Sequence, residues 1–294
     1  MPMLPPRGRH RLLRLFGVGG RENGPWLDSV RPIRMLWDRN IKAWIRCDLR
    51  EWGGRWHYYC RQYYDTLLPL ILRKYLKSGD TFVDIGANLG VHTLLASRIV
   101  GGDGRVLAIE PHPVTCSLLK AHLAINGCVN VRALQVGLGS VPGTAILTMP
   151  DNHPGTATMR NVVMKPTGNS VSIPIETGDG LLKSISAEGD VFVKIDVEGL
   201  ELAVLQGCKD FLTNQKPKWI YVEISPDWLE QQGGSAEELL GFLAGYGYIP
   251  AVPRLTFESV FWPKLTTSPL SGVPDKQQDI LFTYSDENNA GLTR

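Results

Sequence analysis

The sequence predicts an α/β protein built on a doubly wound, mostly parallel sheet. Short apolar runs of the kind found in buried parallel strands alternate with stretches of helical periodicity from residue 63 onward. One run, Phe82–Ile85, ends in two glycines, Gly86 and Gly90, and a helical pattern follows at once over Val91–Val100. The 294 residues are 43% apolar, which is enough material for a sizeable core.

The balance of charge favours no particular class of partner, and the cysteine usage bears on the compartment. The 31 basic and 29 acidic residues give a net charge of +2, so we expect no nucleic-acid partner, which an overall basic field would recruit. The five cysteines are odd in number and have no C-x-x-C spacing, which favours a reducing compartment. Because no run of about 18 apolar residues is present, we predict a cytoplasmic protein without a membrane span.

The first 21 residues form a basic tail. They carry six basic residues and no acidic one, and their apolar cluster is too short for a secretory signal. We predict an extension that is loosely packed or, alternatively, a peripheral contact with a membrane surface or an acidic glycan. The predicted organisation is residues 1–60 as basic tail and aromatic extension, 61–285 as the main domain and 286–294 as a polar tail.

The aromatic extension runs from Trp26 to Tyr64 and is rich in tryptophan and tyrosine. Alternation over Ile41–Leu49 predicts a strand, and Gly53-Gly54 predicts a hairpin turn into Trp56–Tyr59. We interpret the aromatic residues as a cap over the sheet edge, with the lining of a substrate pocket as the alternative.

The remaining elements follow in the order that a doubly wound sheet requires. Helices are predicted over Tyr63–Leu76, Pro113–Asn126, Leu200–Leu212 and Ala236–Tyr246, with Thr177 and Asp179 capping a further short one. Strands are predicted over Val106–Ile109, Val131–Leu138, Thr144–Met149, Val171–Ile175, Val191–Asp196, Lys218–Ile224, Tyr248–Val252 and Asp279–Tyr284. The proline-rich stretch Phe257–Pro274 is expected to cover the sheet edge or to line a pocket.

The glycine turn after Ile85 predicts a site for an anionic group. A strand, a tight turn and a helix place free backbone N–H groups and the positive end of the helix dipole at the carboxyl edge of the sheet. Gly86 and Gly90 are expected to adopt positive φ and to permit close backbone approach. A dinucleotide does not fit, because Asn88 and Val91 occupy the second and third glycine positions of the G-x-G-x-x-G pattern.

The end of the next strand favours one cofactor, S-adenosylmethionine. Glu110 follows the run Val106–Ile109, and a carboxylate there can accept both hydroxyls of a ribose. The turn would take the carboxylate of the cofactor, Asp84 would favour its sulfonium and amine, and the third strand end would lie near the adenine. The residues expected to contact the cofactor are Asp84, Gly86, Ala87, Asn88, Gly90, Glu110, Pro111, Gly137, Leu138 and Asp196.

Three motifs give the chain a family resemblance. Residues 83–90, 109–111 and 194–199 read VDIGANLG, IEP and KIDVEG. In these motifs the chain resembles the FkbM family of methyltransferases, and the resemblance extends over Asp48–Tyr284. It implies a Rossmann-like class I methyltransferase sheet with an antiparallel last strand, S-adenosylmethionine as cofactor, and methylation of hydroxyl groups on sugars or macrolide-type natural products.

Charged residues at the ends of two central strands are the candidate catalytic groups. Lys194 and Asp196 lie two residues apart and project from the same face of their strand. The resemblance places Asp196 beside the transferred methyl group, and a structural ion pair with Lys194 is the alternative. Glu223 is expected to pair with Lys194 or to touch the acceptor. For a hydroxyl acceptor we predict the general base to be Asp196, His153 or Glu223, in that order.

No metal is expected at this site. The alternative is magnesium bound by three carboxylates near one strand end, Asp196, Glu198 and Glu201.

The sequence therefore predicts an S-adenosylmethionine-dependent O-methyltransferase acting on a small-molecule or glycan hydroxyl. One rival is a catalytically silent binding module of the same fold, which charges at three strand ends argue against. A nucleotide-dependent oxidoreductase is the other rival, and Asn88 and Val91 disfavour it.

Overall fold

The computed structural model describes residues 31–148, 158–160, 170–183, 185, 188–257 and 263–285. The predicted basic tail, the polar tail and the candidate base His153 lie outside these ranges. Among the helices of the described residues, none is both long enough and apolar enough to cross a bilayer. All five cysteines fall within the described part, and none of them forms a disulfide there.

The strands are β1 (Ile33–Asp38), β2 (Ala43–Asp48), β3 (Thr81–Ile85), β4 (Arg105–Ile109), β5 (Val131–Leu134), β6 (Gly137–Leu138), β7 (Gly143–Thr148), β8 (Thr158–Arg160), β9 (Ser170–Glu176), β10 (Val191–Ile195), β11 (Trp219–Ile224), β12 (Tyr248–Phe257), β13 (Pro263–Pro269) and β14 (Gln278–Tyr284). The helices are α1 (Trp52–Cys60), α2 (Leu67–Tyr75), α3 (Val91–Val100), α4 (Pro113–Ile125), α5 (Gly178–Leu182), α6 (Glu201–Gln206), α7 (Lys209–Asn214), α8 (Pro226–Gln231) and α9 (Ala236–Gly245).

An eight-stranded sheet organises the fold, in the order β13-β12-β14-β11-β10-β3-β4-β5. The pairs from β11 to β5 are parallel, whereas β14 is antiparallel to both of its neighbours. This confirms the predicted Rossmann-like α/β fold with an antiparallel last strand. All five residues of β3 are buried, and Val83 and Phe82 belong to different apolar clusters on the two faces of the sheet. Burial on both faces explains why the central strands read as continuous apolar runs.

The aromatic extension packs into the same core as the main sheet. The antiparallel hairpin β1–β2 buries Leu36 and Ile45 in a cluster that also holds Phe82. Asn126, directly after α4, accepts a hydrogen bond from the backbone N–H of Trp44 through its side-chain oxygen, and His122 Nε2 in α4 accepts one from the N–H of Arg46. These bonds tie the hairpin to a helix of the main sheet. The hydrophobic core therefore continues across residue 60, where the sequence analysis placed the boundary between the aromatic extension and the main domain.

The prediction of a hairpin turn at Gly53-Gly54 was wrong, because the two glycines lie inside helix α1. A Cβ on Gly54 would lie 2.0 Å from the backbone oxygen of Asp48. Gly54 therefore permits helix α1 to pack closely on the end of β2. Close packing, and not a turn, accounts for the glycine at this position.

Three other boundaries differ from the sequence prediction. The predicted helix 200–212 is divided into α6 and α7 around Gly207, where a Cβ would lie 2.1 Å from the oxygen of Gly139. The strand predicted over Val131–Leu138 ends at Leu134, and Gly137–Leu138 instead pairs with β9 in a separate four-stranded sheet. The strand predicted over Tyr248–Val252 extends to Phe257, and it pairs with β13 in the stretch Phe257–Pro274 that was predicted to cover the sheet edge or to line a pocket.

Candidate active site

Three strands of the main sheet end level with one another and so bring the predicted motifs together. Ile85 at the end of β3 is aligned with Ile109 of β4 and with Ile195 of β10. The residues that follow, Gly86, Glu110 and Asp196, therefore meet at one edge of the sheet. Sequence reasoning anticipated this meeting, because the carboxyl ends of adjacent parallel strands share an edge.

The glycine turn is closed by backbone hydrogen bonds and by contact with β10. The N–H groups of Gly86 and Ala87 both donate to the carbonyl oxygen of Ile109, at 3.0 Å each. Gly86 and Gly90 have φ of 78° and 83°, as predicted. Asn88 also has a positive φ, of 51°, which asparagine tolerates better than most residues. The turn thus leads directly into α3, whose first N–H groups have no acceptor within the helix and can bind an anionic group.

Glu110 lies beneath this turn and connects it to the following helix. Its Oε2 accepts a hydrogen bond from the N–H of Asn88, and its Oε1 accepts one from the N–H of His112, both at 2.9 Å. Burial raises the pKa of Glu110, and this effect is larger than the lowering caused by the two hydrogen bonds, so the pKa lies above its usual value. Each carboxylate oxygen has a second lone pair, so Glu110 can still accept hydroxyl groups while holding the turn. Pro111, its partly buried neighbour, leads into α4.

Lys194 sits at the centre of a buried ionic network. Its Nζ donates to the carbonyl oxygen of Gly86 at 2.6 Å and lies 3.2 Å from Asp196 Oδ2 and 3.4 Å from Asp84 Oδ1. Burial lowers the pKa of Lys194, but the charges of Asp196 and Asp84 outweigh it and raise the pKa above its usual value. Lys194 therefore stays charged and links the glycine turn to both strand ends.

Asp84 lies deeper than the prediction of direct cofactor contact assumed. Its side chain is 0% exposed, and its Oδ2 accepts a hydrogen bond from the hydroxyl of Thr93 at 2.6 Å. Its Oδ1 makes no aligned hydrogen bond among the described residues and lies 3.4 Å from the ammonium of Lys194. Asp84 thus acts on the site through Lys194 and Thr93.

Asp196 and Glu223, both predicted as catalytic, face different environments. The Asp196 side chain is 39% exposed and accessible to a ligand while it is ion-paired with Lys194. Glu223 Oε1 accepts a hydrogen bond from the side chain of Gln277 at 2.7 Å and makes no ion pair with Lys194 among the described residues. Burial, together with the negative charges of Asp196 and Asp279, raises the pKa of Glu223 to about 8. Glu223 therefore keeps its proton to a higher pH than an ordinary glutamate does.

Asp279 is a member of this edge that sequence reasoning missed. It lies opposite Glu223 in the antiparallel pair β11–β14, and it hydrogen-bonds the phenol of Tyr221. Burial raises the pKa of Asp279 to about 6. The predicted antiparallel direction of the last strand could have placed Asp279 here. The first residues of an antiparallel strand lie at the edge where the parallel strands end.

The carboxylates proposed for magnesium do not converge. Within the ranges described, no group of three potential ligands has the arrangement of a metal site. Glu201 Oε1 instead accepts hydrogen bonds from the N–H groups of Val197 and Gly199, at 3.2 and 3.0 Å, and so closes the turn before α6.

The predicted cap at α5 is confirmed, because Thr177 Oγ1 accepts a hydrogen bond from the N–H of Gly180 at 3.1 Å.

The segment between α1 and α2 brings further groups to this edge. Asp65 accepts hydrogen bonds from the first N–H groups of α2, and its Oδ2 lies 3.1 Å from Nε2 of His92 on α3. The hydroxyl of Tyr63 donates to that of Tyr64 at 3.0 Å, and Tyr64 is 47% exposed. Asp196 contributes to raising the pKa of both tyrosines, after the larger effect of burial. These aromatic residues therefore lie close to the reacting edge.

Comparison with known proteins gives a family match over more than half of the chain. A family model described as the methyltransferase FkbM domain matches residues 84–250. The chain is 31% identical over 163 residues to methyltransferase sdnD of Sordaria araneosa, which covers 46% of this chain and 62% of that protein. It is 29% identical over 154 residues to hexuronic acid methyltransferase AglP of Haloferax volcanii, covering 52% of this chain and 59% of the relative. The chain thus spans less than two thirds of the length of either relative.

A solved structure of similar arrangement is the methyltransferase FkbM of Methylobacillus flagellatus KT. The two chains share 18% identity, and the match covers 69% of this chain and 43% of the other, with a TM-score of 0.43. A score at this level carries no argument about function, and the fold assignment rests on the sheet order given above.

Proposed function

Because the chain belongs to the FkbM methyltransferase family, we propose that it transfers a methyl group from S-adenosylmethionine to a hydroxyl group of a sugar or a natural product. The observation that carries this proposal is the meeting of a glycine turn, Glu110 and Asp196 at three level strand ends. A rigid anion site, a carboxylate suited to a ribose and an accessible carboxylate lie side by side there.

The residues present fit the proposed cofactor. A Cβ at Gly86 would lie 1.9 Å from the carbonyl oxygen of Asp196, so the turn and the end of β10 are in direct backbone contact. Glu110, fixed by two N–H groups, would hold the ribose hydroxyls, and the first turn of α3 would hold the carboxylate. Bound S-adenosylmethionine supplies a methyl group that is already activated by a sulfonium. The predicted adenine contacts of Gly137 and Leu138, both buried in the second sheet, stay predictions.

Asp196 is the residue that we assign to the acceptor. Its side chain is 39% exposed, and the ammonium of Lys194, 3.2 Å from Asp196 Oδ2, fixes the orientation of the carboxylate. It would accept a hydrogen bond from the acceptor hydroxyl and orient that hydroxyl, and it would take up the proton as the bond to carbon forms. Glu223 ranks below Asp196 because its Oε1 already accepts a hydrogen bond from the side chain of Gln277, and because its raised pKa keeps it protonated to a higher pH.

We expect Asp196→Asn to lose turnover and to keep cofactor affinity. A general base contributes about 10²- to 10⁴-fold, so kcat should fall at least about 100-fold. The fold should survive, because Lys194 keeps Asp84 as an ionic partner. The measurement is transfer of labelled methyl groups to a panel of sugar and polyketide alcohols, with S-adenosylhomocysteine affinity by calorimetry. Asp210→Asn, at an exposed position in α7, is the matched control.

Two results would redirect this proposal. Unchanged turnover in Asp196→Asn would remove Asp196 from the chemistry and leave His153 as the base to test. Binding of S-adenosylhomocysteine without transfer to any acceptor would favour the rival, a catalytically silent module.

A further inference from the structure

A continuous row of aromatic rings leads away from the candidate active site. We define the aromatic row as Trp56, Trp52, Tyr64 and Tyr63. The ring centroids of Trp56 and Trp52 are 5.7 Å apart, those of Trp52 and Tyr64 5.6 Å, and those of Tyr64 and Tyr63 4.2 Å. Tyr63 in turn lies 5.5 Å from the ring of His92, in the first turn of the helix that follows the glycine turn. The row therefore connects helix α1 to the site.

The tyrosine end of the row reaches the reacting groups. Asp196 and Lys194 are both close enough to Tyr64 to shift the pKa of its phenol, in opposite directions. Tyr64 nevertheless keeps 47% of its surface exposed, although large rings that serve only to pack α1 on the sheet would be expected to bury more. An accessible ring beside an accessible carboxylate is a binding surface of the kind that ligand sites use.

Carboxyl groups predominate around this surface. Asp196, Glu223 and Asp279 lie at the edge, and Asp65 lies beside His92. The negative charges of Asp196 and Asp279 already raise the pKa of Glu223, and within the described residues the ammonium of Lys194 is engaged by two carboxylates, Asp84 and Asp196. A further anionic group brought to this edge would therefore meet like charge.

We propose that the aromatic row binds the methyl acceptor and that the acceptor is an uncharged sugar ring. Sugar rings present faces of C–H groups that pack on aromatic rings, and their hydroxyls find partners in the phenol groups of Tyr63 and Tyr64 and in the carboxylates of the edge. This inference rests on the proposed function and narrows its substrate class. It distinguishes the chain from the Haloferax volcanii relative, whose name specifies a hexuronic acid.

Matched pairs of sugars test the charge preference. The full chain would be assayed with labelled S-adenosylmethionine and methyl glycosides of glucose, galactose and mannose, each beside its uronic acid. We expect kcat/KM to be at least about tenfold higher for the neutral member of a pair, because like charges placed in contact are disfavoured. Equal or better transfer to the uronic acids would overturn the inference.

Variants of Tyr64 test the row itself. Tyr64→Ala should raise KM for the sugar about tenfold and leave S-adenosylhomocysteine affinity unchanged, since Tyr64 is not among the residues expected to contact the cofactor. Tyr64→Phe should retain most of the affinity because it keeps the ring. Trp37→Ala is the control, because Trp37 is similarly exposed at 42% but packs edge to face with Trp44 in the hairpin, outside the row.

The outcomes separate this inference from the proposed function. Unchanged sugar kinetics in Tyr64→Ala would overturn the inference and leave methyl transfer intact. S-adenosylhomocysteine binding with methylation of non-sugar alcohols alone would do the same. Failure to bind S-adenosylhomocysteine would instead contradict the proposed function.

Discussion

Lys194→Met is expected to destabilise the protein by about 3–5 kcal/mol and to abolish cofactor binding. The substitution preserves side-chain volume but removes the only ion-pair partner of Asp84 among the described residues, and Asp84 is 0% exposed. Removing one partner of a buried ion pair leaves an uncompensated charge, and this cost dominates the lost attraction. The carbonyl oxygen of Gly86 loses its donor at the same time. Urea denaturation would measure the change in the free energy of unfolding.

A double substitution serves as the control for this result. Asp84→Asn together with Lys194→Met removes both charges, and we expect it to recover much of the stability lost in the single variant. A loss below about 1 kcal/mol in Lys194→Met would mean that Asp84 finds compensation elsewhere, and the network described here would be wrong.

Gly86→Ala is expected to have an effect of similar size at the other end of the network. Gly86 has φ of 78°, and its new Cβ would lie 1.9 Å from the backbone oxygen of Asp196. Because a backbone atom cannot move aside as a flexible side chain can, the turn and β10 must separate. We expect a loss of several kcal/mol in the free energy of unfolding, about 3 or more, and loss of S-adenosylhomocysteine binding.

Gly79→Ala separates the two causes of this loss. Gly79 has φ of 88°, and a Cβ there would meet no atom within 4 Å. It should cost only the backbone strain of about 1–2 kcal/mol and leave binding unchanged. Equal losses in the two variants would show that contact between the turn and β10 is not what requires glycine at residue 86.

The sequence predicted the central sheet well because its strands are buried on both faces. Continuous apolar runs such as Val106–Ile109 suit strands that are covered on both faces of a sheet, and the parallel arrangement then brings Glu110 and Asp196 to one edge. The same reasoning could not determine where β5 ends, because the break at Leu134 depends on pairing of Gly137 with Ile175 far along the chain.

The acceptor side of the site was harder to predict because it depends on tertiary packing. Gly53-Gly54 carries a turn signal, yet the pair belongs to a helix that packs on Asp48. Asp279 could be placed at the edge only through the antiparallel direction of its strand. The sequence left open whether Asp196 forms an ion pair with Lys194 or contacts the acceptor. The structure contains the ion pair, and the carboxylate of Asp196 is still accessible, so one residue can do both.

Calorimetric titration with S-adenosylhomocysteine tests the central claim most directly, in the wild-type chain, in Glu110→Gln and in the exposed control Glu230→Gln. A charge-assisted hydrogen bond contributes about 1.5–3 kcal/mol, so we expect micromolar binding to the wild type and the control, weakened at least about tenfold in Glu110→Gln. Equal affinity in Glu110→Gln, or binding of a nicotinamide dinucleotide in place of S-adenosylhomocysteine, would contradict the assignment of this turn to the proposed cofactor.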